Sequence, residues 1–521
     1  MSFAKVASAQ TSFLKANIVD IEVDLSKGLH AFSIVGLGDK AVDQAKDRVS
    51  AAIKNTGFTS PKQTNQKVII SLAPAHIKKE GPYFDVGMAL AYLLASGDIS
   101  FDTKKKLFIG ELSLDGSLRP VNGILPLAQE ALHKGYESIF VPKGNAKEAS
   151  LVEGIHVYGA ETLKEIIEHL VAPKKKDGEE VTWKKIIETP HTAFVPLEET
   201  EVLLDLSDIK GQETAKRGLE IAAAGGHNIA LFGPPGTGKT MLAKAFAGIL
   251  PSLSFDEALE ITGIHSVAGT LSESVITIPP VRAPHHTSSY VSLVGGGTNV
   301  RPGEITLAHR GVLFLDEFPE FDKKVLEALR EPLEERKISV SRAKGSTTFP
   351  AHFILIAAMN PCPCGNFGAK DKRCSCQPAA LLHYQRKVSG PIMDRIDMWI
   401  EVGSLDHKML LDKTSSGEKS SIVRNRVSKA RKVQSERFNK MGRKIKTNSE
   451  MNARDISTSL VLKKDIIELL NTSASRLDLS ARAYHRVIKL ARTIADLEES
   501  TEIEQRHMLE ALQYRPKKIV L

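Results

Sequence analysis

The sequence predicts an α/β chain in three parts: an α+β N-terminal domain, a parallel-sheet core and a helical C-terminal domain. Three observations carry this. From about residue 205 to 405, apolar strand-like runs alternate with helical patterns, as in a parallel sheet covered on both faces. Before residue 165, short apolar runs mix with helical segments, and after about 405 only helical periodicity remains. With 521 residues, a prior of roughly 150 residues per domain gives about three domains.

Along the N-terminal domain (1–165), residues 68–72 (VIISL), 108–112 and 138–142 are expected strands, and 85–96 (DVGMALAYLLAS) a buried helix. The lysine-rich stretch 173–180 opens a polar linker assigned to 166–204. Core strands are expected at 228–232, 311–315 and 352–357 within 205–405. In the last part, 406–521, residues 480–497 place Ala483, Val487, Leu490, Ala491 and Ile494 on one helical stripe.

The composition, 42% hydrophobic and 25% charged, is that of a globular protein. No run approaches the ~20 apolar residues of a membrane span. The first residues, MSFAK, lack an apolar export signal, so the expected compartment is the cytoplasm. The net charge of +8 suits a polyanionic partner. Residues 421–450 alone hold ten Lys or Arg against Glu436 and Glu450, so the excess is local. DNA contact and plain solvation both account for such a stretch.

The strongest chemical signal is Gly233-Pro234-Pro235-Gly236-Thr237-Gly238-Lys239-Thr240, between an apolar strand and a helix. Glycines let backbone N–H groups turn around phosphate oxygens, and the helix N-terminus favours negative charge. Lys239 would reach the β- and γ-phosphates of ATP, and Thr240 would ligate Mg²⁺. A second apolar strand ends in Asp316 and Glu317. Asp316 can hold Mg²⁺ through water, and Glu317 can orient the attacking water. A third ends near Asn360, either a turn residue or an amide for the γ-phosphate or lytic water.

Residues 207–247, containing this loop, resemble the magnesium chelatase-related AAA+ ATPases. The runs 282–287 (RAPHHT), 303–309 (GEITLAH) and 389–397 (SGPIMDRID) are similar to the ComM/YifB branch of that family. The resemblance covers nearly the whole chain. It implies a P-loop AAA+ core with a C-terminal helical lid, and a homo-hexameric ring with ATP between neighbouring subunits. It also places Arg395 as an arginine finger, although Arg395 beside Asp394 and Asp397 also suits a structural ion pair. Arg482 matches the sensor-2 arginine, with Arg486 one turn on as the alternative. Ile209 and Gly211, within 208–212, would lie near adenine.

Cys362, Cys364, Cys374 and Cys376 are the only cysteines and form a C-x-C-x₉-C-x-C array within the core. Four thiolates can close a structural Zn²⁺ site, the alternative being free or redox-active thiols. Between the Asp316 and Asn360 strands, residues 337–350 are expected to form a hairpin. By similarity to ring motors, Arg342 and Lys344 at its tip are candidate DNA-phosphate contacts, the alternative being a solvated basic turn. Gly295-Gly296-Gly297 marks another candidate pore loop. His285 and His286 suggest metal ligands, but with no third partner in view, hydrogen-bonded structural histidines fit better.

Residues 79–85 (KEGPYFD) and 108–142 resemble the Lon protease domain, which implies a Lon-protease-like (S5 domain 2-like) α+β fold. Lon-type hydrolysis needs a serine activated by a lysine. Tyr83 stands at the serine position and Leu125 near the lysine position, so the resemblance implies a fold whose dyad is lost, serving assembly or partner binding. The leading expectation is an ATP-driven ring motor on single-stranded or branched DNA, promoting branch migration in recombination or natural transformation, with recombination proteins as further partners. The alternative is a protein-remodelling ATPase of the magnesium chelatase motor type.

Overall fold

The computed structural model describes residues 2–171, 185–195, 204–297, 300–342, 345–367, 373–404, 417–460 and 462–516, with backbone alone at 342 and 345. The chain forms two compact units, Met1–Val195 with Phe255–Ile276, and Pro196–Ser254 with Thr277–Leu521. No helix among the described residues is long and apolar enough to cross a membrane.

The first unit is built on a hairpin for which sequence analysis set out no strands. Strands β1 (Phe3–Ser12) and β2 (Lys15–Lys27) pair antiparallel from Phe3↔Asp24 to Ser12↔Lys15. Val19, Ile21, Val23 and Leu25 of β2 are buried, the period-two pattern of a half-covered strand. With β3 (Ala31–Val35), β4 (Gln66–Ala73), β5 (Lys106–Phe108), β6 (Ser138–Pro142) and β7 (His156–Ala160), they form a sheet in the order β3-β4-β2-β1-β5-β6-β7. The strand expected over 108–112 is two pieces, because Gly110 takes φ +157° and separates β5 from Glu111–Leu112. A Cβ there would also meet Val86 and Pro142 at 3.2–3.4 Å.

Helix α1 (Lys40–Asn55) is capped by Asp39, whose carboxylate accepts from Val42 N–H at 3.0 Å. Helix α2 (Asp85–Ser96) is buried along almost its whole length, as its apolar run requires. Onto α3 (Ile124–His133), which α4 (Leu163–Leu170) follows in the chain, packs the helix Phe255–Ala268, drawn from within the range expected to belong to the core. Its Ser266 hydroxyl accepts from Gly123 N–H at 2.8 Å and donates to buried Glu148.

The second unit holds five parallel strands: β8 (Ile229–Phe232), β9 (Val281–Arg282), β10 (Val312–Leu315), β13 (Ile354–Met359) and β14 (Met398–Glu401). Their order is β9-β10-β13-β8-β14. The hairpin β11 (Lys337–Arg342) and β12 (Gly345–Pro350) stands between β10 and β13 in sequence, paired from Lys337↔Pro350 to Arg342↔Gly345. Helices α5 (Glu213–Gly225) and α6 (Lys239–Phe246) share one core with the sheet. At Gly218 of α5 a Cβ would lie 2.1 Å from Ile400 Cδ1, so the helix packs closely on β14 here.

The C-terminal part is helical: α7 (Ser420–Lys440), α8 (Lys464–Leu477), α9 (Ala481–Leu497) and α10 (Gln505–Gln513). On α7, Val423, Val427 and Ala430 are buried, joined by Gln434 and Phe438. Several arginines of this basic stretch are engaged internally. Arg426 pairs with Glu220 and Glu418, Arg431 donates to the Ala223 carbonyl, Arg437 pairs with Asp496, and Arg443 with Asp455 at 2.9 Å. These contacts tie part of the basic stretch to its neighbours, while Lys429 stays largely exposed.

Just before β14, buried Asp397 accepts from Arg486, from Asn228 N–H at 2.9 Å, and faces His227 at 3.7 Å. Burial pushes its pKa up, but Arg486 and His227 outweigh this and hold the carboxyl well below the usual range. A carboxylate whose folded pKa is depressed stabilises the fold above its unfolded value near ~4 and loses that contribution as pH falls further. Asp397→Asn is therefore expected to lower stability by about 3–5 kcal/mol at neutral pH. Thermal melts should show the gap from wild type narrowing as pH drops below ~4. A gap independent of pH would remove the charge from the explanation.

Candidate functional site

The nucleotide-type loop lies between β8 and α6, at the C-terminal edge of the parallel strands. Gly236 and Gly238 take φ of +77° and +91°, conformations open to glycine, and nothing lies within 4 Å of where a Cβ would stand. The resulting space, walled by backbone N–H groups at the start of α6, suits phosphate oxygens. Gly233 lies so close to Val402 that a Cβ would meet its carbonyl oxygen at 2.1 Å.

Lys239 is 8% exposed, and its Nζ donates to the Gly233 and Pro234 carbonyls, each at 2.8 Å, and to Asn360 Oδ1 at 3.2 Å. Burial pushes its ammonium below the ordinary lysine range, with Asp316 opposing. Thr240 Oγ1 donates to Asp316 Oδ2 at 2.8 Å. That hydroxyl–carboxylate pair at the helix start is the donor set a Mg²⁺-bound triphosphate needs. Thr237 Oγ1 turns back to the Pro234 carbonyl at 3.0 Å. Three neighbouring strands, β8, β10 and β13, thus bring together Lys239 and Thr240, Asp316 and Asn360, which are far apart in sequence.

Glu317 adjoins this group, its N–H bonded to Asp316 Oδ1 at 2.9 Å. Its backbone is left-handed, φ +50°, and its half-exposed carboxylate meets His286 Nδ1 at 3.0 Å. The His286 ring lies tilted against His285, ring centroids 4.2 Å apart. His286 was expected to be structural; its partner is the glutamate beside the phosphate loop. Sequence reasoning also missed Tyr384, whose hydroxyl donates to the Asn360 carbonyl at 3.1 Å. Gln212, in the segment expected near adenine, donates to the Thr237 carbonyl at 3.3 Å and to Gly403 O at 2.7 Å. Ile209 is buried and Gly211 has φ +58°.

Arg395 and Arg482 are not part of this group. Arg395 precedes β14, and Asn228, at the start of β8, donates to its carbonyl at 3.4 Å. The phosphate loop follows the other end of β8, about 13 Å along a four-residue strand. Both arginines pair instead with Glu334, Arg482 at 3.1 Å. Arg486, the alternative to Arg482, bonds Asp397 and the Arg395 carbonyl.

The four cysteine sulfurs lie within 4.8 Å of one another. Cys362 Sγ is 3.4 Å from Cys364 and 3.8 Å from Cys374, and Cys364 is 3.6 Å from Cys374. Tetrahedral Zn–S bonds of ~2.3 Å give sulfur separations of ~3.8 Å, so the cluster fits that ion. Backbone N–H groups of Asn366 and Ser375, with the Cys362 contact, bring the Cys364 thiol down to about 5, while its neighbours push Cys374 up and Cys376 up to about 12. Of the basic residues between the pairs, Lys370 and Lys372 lie outside the described residues.

The hairpin is present, but Lys344 and the Arg342 side chain lie outside the described residues. Gly295–Gly296 pairs antiparallel with Arg301–Pro302 as a second short hairpin. In the first unit, the Tyr83 hydroxyl bonds Thr11 at 3.1 Å, and Leu125 is fully buried with its N–H on Glu148 at 2.8 Å. Neither side chain supplies the chemistry of a serine–lysine pair.

The strand order and the phosphate loop define a P-loop protein of the α/β class. The description "magnesium chelatase, subunit ChlI" matches residues 205–410, "subunit ChlI of Mg-chelatase" residues 21–145, and the ChlI C-terminal family residues 417–515. The chain is 42% identical to competence protein ComM of Haemophilus influenzae, over 99% of this chain and 98% of that protein. It is 40% identical to YifB of Escherichia coli, over 99% and 97% respectively. A more distant match, 24% identical over 66% of this chain and 41% of its counterpart, is the DNA replication licensing factor Mcm6 of Drosophila melanogaster. The chain belongs to the magnesium chelatase-related AAA+ family, in the group that contains ComM and YifB.

Proposed function

We propose that this protein is an ATPase that assembles as a ring, in keeping with a homo-hexamer, and works on single-stranded or branched DNA in the cytoplasm. The observation that carries the catalytic half is the Thr240–Asp316 contact beside Lys239 and Asn360, a complete set of groups for a Mg²⁺-bound triphosphate. Gly233 to Thr240 cradle ATP, Asp316 holds the ion through water, Glu317 orients the attacking water, and Asn360 contacts the γ-phosphate. Bound Mg²⁺ would supply charge neutralisation on the phosphates. Arg395 and Arg482 act on the nucleotide of the adjacent subunit, which accounts for their distance from Lys239 in one chain.

The DNA half is supported by full-length similarity to a protein named for competence, and by the replication-factor match. Branch migration during recombination or natural transformation, with recombination proteins as partners, is the specific activity proposed. Arg342 and Lys344 on the hairpin are the proposed phosphate contacts. The domain division proposed is 1–165 as a Lon-protease-like module without its dyad, 166–204 as linker, 205–405 as the AAA+ core and 406–521 as a helical lid.

Adding single-stranded and forked DNA to the purified chain is expected to raise ATP turnover, with the gain falling steeply as salt rises. Lys344→Ala should reduce the gain. Turnover indifferent to DNA but raised by a protein partner would instead favour the remodelling reading suggested by the chelatase similarity.

The four cysteines are proposed to hold one structural Zn²⁺, closed to water. Metal analysis is expected to find one zinc per chain, and its chelation to expose all four thiols and unfold the local segment. Metal-free protein with four freely titratable thiols would end that assignment.

A further inference from the structure

We propose that Glu334 is the positioning residue that holds Arg395 and Arg482 side by side as one phosphate-facing pair. This rests on the reading of Arg395 as a contact to the neighbouring subunit's nucleotide. Glu334 ends the short helix Arg330–Glu335, Arg395 follows the helix Gly390–Met393, and Arg482 lies in the first turn of α9. Three separate segments therefore meet at one carboxylate.

Each oxygen of Glu334 serves one arginine. Oε2 accepts from Arg395 Nη2, and Oε1 accepts from Arg482 Nη2 at 3.1 Å. Two guanidiniums brought this close repel one another, and a shared carboxylate between them offsets that repulsion. The Arg395 side chain is 7% exposed, whereas those of Glu334 and Arg482 are 47% and 58% exposed. The pair thus runs from a buried member to an open one.

Arg395 is held from the other side as well. Its Nη1 donates to the Pro391 carbonyl at 2.7 Å, and Arg486 donates to its main-chain carbonyl at 2.7 Å. Its Nε is buried with no acceptor among the described residues, so the guanidinium is held by Nη1 and Nη2 alone. Phosphoryl transfer gains most from cations already in place when charge develops, because no reorganisation is then needed. Glu334 supplies that preorganisation without touching the phosphate.

The test uses the full chain with Glu334→Gln, Arg482→Ala, the double variant, and Arg395→Ala as control. Glu334→Gln is expected to lower kcat at least about tenfold with nucleotide affinity unchanged. The double variant should lose less than the product of the two single losses, because the repulsion disappears with Arg482. Mixing Glu334→Gln subunits with Lys239→Ala subunits should restore turnover, since an intact phosphate loop then faces an intact arginine pair. A merely damaged fold would show no such recovery.

Multiplicative losses, absence of recovery on mixing, or unchanged kcat in Glu334→Gln alongside a dead Arg395→Ala each overturn the proposal. An active Arg395→Ala would instead overturn the reading on which it stands.

Discussion

Glu317→Gln is expected to bind ATP as tightly as the wild type and to hydrolyse it about 10²–10⁴ times more slowly, the usual contribution of a positioned base. Glutamine keeps the shape and one hydrogen-bond acceptor but cannot draw a proton from water. Because Lys239, Thr240 and Asp316 are untouched, binding should survive. Steady-state turnover beside titration with a fluorescent nucleotide separates the two effects. Equal turnover in variant and wild type would remove Glu317 from the mechanism.

The surroundings of Glu317 sharpen this expectation. A non-glycine residue at φ +50° stores about 1–3 kcal/mol that the surrounding structure must offset. Here its N–H bonds Asp316, and its carboxylate meets His286 at 3.0 Å. The strain falls on the residue assigned to the water, in keeping with the clustering of such outliers at reacting centres.

The candidate phosphate site was legible because each of its parts follows an apolar strand, and parallel strands deliver their ends to one edge. Lys239, Thr240, Asp316 and Asn360 needed only that rule. His286 was not legible, since its partner lies 31 residues on and nothing in RAPHHT announces a glutamate. Tyr384 escaped for the same reason: it holds Asn360 by its main-chain carbonyl, a contact that carries no residue preference.

Charge was the more misleading signal. Ten basic residues in 421–450 suggested either a polyanion or solvent, and the count itself is correct. Four of them, Arg426, Arg431, Arg437 and Arg443, reach buried groups on α5, on α9 and at Asp455, which no local pattern connects to them. The first strands were missed in a related way. In β2 the buried Val19, Ile21, Val23 and Leu25 alternate with Asp20, Glu22 and Asp24, a period-two signal that a search for unbroken apolar runs passes over. The recruitment of Phe255–Ala268 into the first unit rests on Ser266, Gly123 and Glu148, small and polar contacts over long separations.

Arg395→Ala is expected to depress turnover by about 10³–10⁵, the range seen where a guanidinium completes a phosphoryl-transfer site. Within one chain Arg395 cannot do this, because β8 separates it from the loop that follows Phe232 by about 13 Å. Its effect must come through a second copy, and that makes the expectation sharper than a simple loss. Arg395→Ala subunits retain a whole phosphate loop, and Lys239→Ala subunits retain a whole arginine, so each variant alone should be inactive. Combined in equal amounts, they create interfaces where an intact loop meets an intact Arg395, and turnover should return at those interfaces. Two inactive variants that stay inactive together would mean that Arg395 serves its own chain through Glu334, Pro391 and the buried Asp397 network, as a structural cation. Substantial turnover by Arg395→Ala alone would mean that the developing charge is met elsewhere, with Arg482 and Arg486 the next guanidiniums on that edge of the sheet.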